Sequence, residues 1–102
     1  MGSHPEGITS KRSRVSPVCV GTPHRGEWNN CAGNAEYVVL STHGDALVAL
    51  GVCERHVLRV KMWVATEVSD LGEVLITTPA GLDDVLKPDE QVFEIIPRAA
   101  AI

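Results

Sequence analysis

Residues 31–56 read CAGNAEYVVLSTHGDALVALGVCERH, and this stretch decides the fold. It opens on Cys31, with Gly33 two residues on. Residues 36–40, Glu-Tyr-Val-Val-Leu, are rich in β-formers and predict a strand. Ser41 to Asp45 carry turn chemistry. Residues 46–50, Ala-Leu-Val-Ala-Leu, resume as a second strand, so the two predict a hairpin. Gly51 loosens the chain before the next element. From Cys53 to about Thr66 runs the only stretch with convincing helical periodicity. Val57, Val60 and Val64 fall on one face, and Leu58, Met62 and Ala65 form an adjoining apolar stripe. Arg55 and Arg59, four apart, share the exposed side. So wide an apolar face requires the helix to pack, most simply against the hairpin.

The same stretch carries the chemistry. Cys53 and His56, three apart at a helix start, fall on one face of the first turn. Unpaired amides at a helix N-terminus favour a thiolate there. Cys31-Ala-Gly-Asn resembles the second ligand of a zinc knuckle, where glycine lets backbone amides turn toward the sulfur. With Cys19 upstream, three thiols and one imidazole suffice for a tetrahedral site. Zinc suits that donor set, and the expected ligands are Cys19, Cys31, Cys53 and His56. Four protein ligands leave no position for water, so the expected role of the Zn2+ is structural. His24 is the substitute ligand should Cys19 face elsewhere. His43 reads as a solvated turn residue.

The order of parts is a loop ligand, a knuckle ligand, a β-hairpin and two ligands on a helix. That order resembles the treble-clef zinc fingers, over residues 19–66. The scattered cysteines, the Ala35-Glu-Tyr37 strand and Cys-x-x-His also resemble small zinc-binding proteins of actinobacteria and their phages. The resemblance implies Cys19 and Cys31 as the first ligand pair and Cys53 and His56 as the second. One feature departs from it: the first pair of a treble clef is usually Cys-x-x-Cys, and here the two cysteines are twelve apart.

The rest of the chain is read around this centre. At 102 residues it is one domain, small enough that a metal staple is welcome. With aromatics at only 4%, the core must be built from Val, Leu and Ile. The expected fold class is α+β: a zinc-stabilised treble-clef-like unit extended by a C-terminal β-hairpin. Residues 1–17, with Lys11, Arg12 and Arg14, read as a disordered basic tail. Residues 18–66 form the zinc domain, with 21–30 as a polar loop and Trp28 covering one side of the site. Residues 67–97 form an acidic β extension packed on it, with strands over 73–78 and 91–96 and a helical turn over 82–86. Residues 98–102 read as a frayed end.

Function is less legible. No run of ~18 apolar residues and no leader-like segment is found, which predicts a cytoplasmic protein with reduced thiols. Three cysteines, an odd number, favour metal ligation over a disulfide framework. No paired carboxylates and no nucleophile beside a base are evident, so no enzyme and no small-molecule substrate are expected. Treble clefs also build His-Asn-His nucleases, but no second His and Asn follow His43 on the helix. Residues 1–65 carry seven Lys or Arg against five acids, whereas residues 66–102 carry two against eight. The expectation is a small zinc-binding interaction or regulatory protein with a protein partner or a homodimer interface centred on Leu75 and Phe93. The alternative is nucleic-acid binding through the basic N-terminal half, by Lys11, Arg12, Arg14, Arg25, Arg55 and Arg59. A pI near 5.4 weighs against that alternative.

Overall fold

A computed structural model describes residues 8–11, 15–87 and 90–95 of the chain. The expected hairpin is its centre. Strands β4 (Tyr37–His43) and β5 (Ala46–Val52) pair antiparallel from Tyr37↔Val52 to His43↔Ala46. Both strands are apolar on both sides, with Val38, Val39, Leu40, Val48, Ala49, Leu50 and Val52 all buried. An antiparallel ribbon of this kind must be covered on both faces and bordered on both edges.

The edges are bordered by the remaining strands. β1 (Ile8–Lys11), β6 (Leu75–Thr77) and β7 (Val92–Ile95) complete a five-stranded sheet in the order β1-β7-β5-β4-β6. A separate two-stranded sheet is formed by β2 (Thr22–His24) and β3 (Glu27–Asn29). The architecture is therefore mixed α+β. Two of the sequence expectations need correction. β6 and β7 do not form a C-terminal hairpin: β6 pairs antiparallel with β4, and β7 runs parallel to β5. The physical reason is the pair of open edges on the central ribbon, which each strand borders on its own side. Nor is all of 1–17 a tail, since β1 pairs antiparallel with β7. The buried carboxylate of Glu94 accepts a hydrogen bond from the Ser16 amide and ties residues 15–17 to the same strand. The remainder of that segment, and 98–102, lie outside the described residues.

The faces are covered by the helices. Helix α1 (Val57–Trp63) continues into a π-helical turn over Val64–Val68, closed by the Ser69 amide donating to the Val64 carbonyl. Val60 and Val64 pack with Val39, Val48, Leu50, Val52 and Ile95 on one face of the sheet. Helix α2 (Pro79–Val85) connects β6 to β7, and its Leu82 packs with Val38, Leu40, Ala49 and Val92 on the other face. Thr78 caps α2 by accepting from the Gly81 amide, and Pro79 suits its first turn. Each fully buried Val or Leu contributes about 1.5–3 kcal/mol relative to exposure, so both layers matter to stability.

Two further expectations change. The helix begins at Val57 rather than Cys53, and the stripe of Leu58 and Met62 is exposed, at 67% each, instead of packed. Only the opposite side of α1 meets the sheet. Leu75 and Phe93 do not share a surface either. Leu75 pairs with Leu40 on the α2 face, whereas Phe93 pairs with Val48 on the α1 face. Among the described residues no helix is long and apolar enough to cross a membrane.

Candidate metal centre

The site is assembled by backbone pairing between distant segments. Residues 17–20 run antiparallel to residues 33–35: the Cys19 amide donates to the Gly33 carbonyl at 2.8 Å, and the Ala35 amide donates to Pro17 at 2.8 Å. Val18 and Asn34 form a β-bridge between them. The Val20 amide then donates to Gly51 at 2.9 Å, which seats the segment on the end of β5. Gly51 permits this approach, since a Cβ there would lie 2.8 Å from the Ser16 carbonyl oxygen and 2.9 Å from the Ala35 Cβ.

This pairing explains how Cys19 and Cys31 meet across twelve residues. The intervening chain is not a loose loop but the β2–β3 hairpin, turned at Arg25 (φ 52°) and Gly26 (φ 80°). Positive φ at both central positions is the type I′ pattern that matches strand twist. Pro23 is tolerated because this sheet has only two strands. Trp28, on β3, is buried, donates its Nε1–H to the Val20 carbonyl, and meets Trp63 edge-on with ring centroids 4.8 Å apart. It belongs to the same apolar cluster as Cys19 and Cys53, consistent with a covering role.

The two cysteines sit in the same local frame. In Cys19-Val-Gly21 the Gly21 amide donates to the Cys19 Sγ at 3.3 Å, and in Cys31-Ala-Gly33 the Gly33 amide donates to the Cys31 Sγ at 3.3 Å. Amides aimed at sulfur stabilise thiolates. Gly21 has φ +102°, and a Cβ there would lie 2.1 Å from the Asn29 carbonyl oxygen, so only glycine fits. Sequence reading took the Cys-x-Gly signal at Cys31 and overlooked its repeat at Cys19.

Cys53 follows β5 directly, and a tight turn in which the His56 amide donates to the Cys53 carbonyl at 3.1 Å leads into α1. His56 is the N-cap residue of the helix, with no side-chain cap hydrogen bond, so its ring is available to the cluster. The ligating atoms of Cys19, Cys31, Cys53 and His56 all lie within 4.8 Å of one another. His56 Nδ1 is 3.4 Å from the Cys53 Sγ and 3.8 Å from the Cys19 Sγ, and the Cys31 and Cys53 sulfurs are 4.0 Å apart. A tetrahedron with arms of ~2.3 Å to sulfur and ~2.0 Å to nitrogen has edges of roughly 3.5–3.8 Å. The four residues can therefore hold a metal ion without large rearrangement.

No family model, curated protein or solved structure matches this chain.

The thiols differ in their hold on a proton. Burial pushes Cys19 up to about 11, against the lowering effect of the Gly21 amide. Burial acts on Cys53 in the same direction. There, hydrogen bonds from the His56 and Arg55 amides and from the neighbouring thiols outweigh it, and the group is held below its ordinary value. Cys53 is thus the first of this pair to become a thiolate, and Cys19 the last. Cys31 is half-buried and faces a cleft of about 470 Å³ shared with Asn34, Glu36, Cys53, Glu54 and Arg55, so the centre is reachable from one side.

The other histidines stand apart. His24 is exposed on β2 and lines a different cleft, with Arg25, Glu27, Trp63 and Glu67. It is not among the four clustered groups. His43, at the end of β4, donates from Nδ1 to the Val68 carbonyl at 2.7 Å and so fastens the hairpin to the π-helical turn.

Proposed function

We propose that Cys19, Cys31, Cys53 and His56 bind one structural zinc ion. On this reading the chain is a small zinc-stabilised, treble-clef-like interaction or regulatory protein of the cytoplasm. The observation that carries the proposal is the convergence of four soft and borderline donors, from three chain segments, at separations that match a closed tetrahedral shell. The Cys19–Gly21 and Cys31–Gly33 amide-to-sulfur bonds support it, since both favour thiolates. With four protein ligands the ion has no open position for water or substrate, which favours a structural over a hydrolytic role. His43, engaged with the Val68 carbonyl, supports the same conclusion.

Elemental analysis of the purified chain tests this directly. One zinc per chain is expected, retained in His24→Ala and lost in Cys19→Ser. Loss of zinc in His24→Ala with retention in Cys19→Ser would reassign the first ligand pair.

A further inference from the structure

Helix α1 presents to solvent what an isolated domain normally covers. Leu58 and Met62, one turn apart, are each 67% exposed. They lie opposite Val60 and Val64, which face the sheet. Arg59, three before Met62, and Lys61, three after Leu58, flank this stripe on either side, and both are exposed. Neither cation has an ion-pair partner among the described residues. Interface cores are enriched in Met and Arg, and a clustered apolar stripe carries more meaning than scattered exposed Leu.

The far face of the molecule is its electrostatic complement. On α2, Asp83 and Asp84 are exposed and have no ion-pair partner among the described residues. Val85 on the same helix is 46% exposed, and Leu75, on the same side of the sheet, is 49% exposed. One face therefore offers two cations around an apolar stripe, and the opposite face offers two carboxylates beside half-exposed apolar side chains.

We propose that the α1 face of one copy docks on the α2 face of a second copy. This deepens the reading of the chain as an interaction protein and rests on it. The two surfaces are different and lie on opposite sides of the sheet, so the contact is heterologous. It repeats head to tail and does not close as a twofold dimer. Solvent-exposed ion pairs are weakened by salt, so the association is salt-sensitive.

Sedimentation of the zinc-loaded full chain over a wide concentration range tests this. The wild type should gain mass with concentration, and should lose that gain at high salt. Leu58→Asp combined with Met62→Asp should weaken association by roughly tenfold or more. The decisive arm uses charge reversal at exposed positions. Arg59→Glu/Lys61→Glu alone and Asp83→Lys/Asp84→Lys alone should each be monomeric, and an equimolar mixture of the two should associate. Zinc content and circular dichroism on the same samples report whether each variant is folded. A wild type that holds zinc and stays monomeric at millimolar concentration overturns the proposal and leaves the zinc assignment standing. A mixture that fails to associate when both variants are folded also overturns it. So does a monomeric wild type that binds random-sequence duplex DNA and loses that binding in Arg59→Glu/Lys61→Glu, because the α1 face would then serve nucleic acid. Association undiminished in a zinc-free, folded chain would instead overturn the zinc assignment alone.

Discussion

The two layers of this molecule hold together by different means. On the α2 face, Val38, Leu40, Ala49, Leu82 and Val92 close an apolar core beside the buried carboxylate of Glu94. At the end of β5, the segments 17–20 and 31–35 and the turn 53–56 meet through backbone bonds around three thiols and an imidazole. Apolar packing stabilises the first region whatever is bound. In the second, three sulfurs and a ring nitrogen lie within 4.8 Å of one another at the edge of the apolar cluster that holds Trp28. Uncompensated, thiolates at that spacing repel one another. Small domains commonly resolve this by letting a metal supply what the core cannot.

The largest effect should come from removing a ligand. Cys53→Ser or His56→Ala should abolish stoichiometric metal binding. Apparent binding energies of about 10–16 kcal/mol for such sites exceed or match the whole stability of a small domain. Thermal unfolding followed by circular dichroism should then show a transition lowered by tens of degrees, or no cooperative transition at all. The α2 layer answers differently. Leu82→Ala, at a site 1% exposed, should cost about 2–5 kcal/mol in denaturant unfolding. Elemental analysis should find its metal content unchanged. Loss of metal in Leu82→Ala would mean that the two regions are one cooperative unit.

The glycines sharpen the contrast within the Cys3His end. Gly21→Ala meets both a positive φ and the Asn29 carbonyl, and should cost about 1–3 kcal/mol or more and weaken metal binding. Gly33→Ala places its Cβ 3.4 Å from the Cys31 Sγ, an ordinary contact, and should be milder. Competition titration with a chromophoric chelator would rank the two, and the reverse order would break the assignment of the Cys19 frame.

The smallest effect is the pH dependence of the metal-free chain. Cys19 is raised from 9.0 to about 11 in the folded state. Its protonated form is therefore favoured by folding, so its contribution is fully present below pH ~9 and is lost as pH rises through ~11. Metal binding runs the other way. The ion must displace the Cys19 proton, so affinity rises with pH and falls in acid. Calorimetry in buffers of different ionisation enthalpy should record net proton release at neutral pH.

Much of the sheet was legible in the sequence. Strand expectations over 36–40, 46–50, 73–78 and 91–96 correspond to β4, β5, β6 and β7, because short apolar runs bounded by turn residues need no long-range knowledge. Which edges these strands join was not legible. β7 lies parallel to β5 only because α2 carries the chain across the sheet, and pairing of that kind leaves no local mark. The β2–β3 hairpin was hidden by Pro23 and by strands of three residues. Periodicity proposed a wide buried stripe on α1, but hydrophobic spacing alone does not say which of two apolar sides finds a partner, and Leu58 and Met62 did not. At the centre, Cys-x-x-His was readable from spacing. The repeated Cys-x-Gly, at 19–21 and 31–33, was the local signal that would have placed Cys19 beside Cys31 without any structure.

The claim that a metal holds the Cys19–Cys31 end is tested most directly by amide hydrogen exchange before and after chelation. The zinc-loaded chain should protect the amides of Cys19, Gly21 and Gly33. Chelation should strip protection from these three first, with the amides of β4 and β5 following only as overall stability falls. A chain that is purified without metal, folded, and equally protected at Cys19, Gly21 and Gly33 with or without chelator would contradict it.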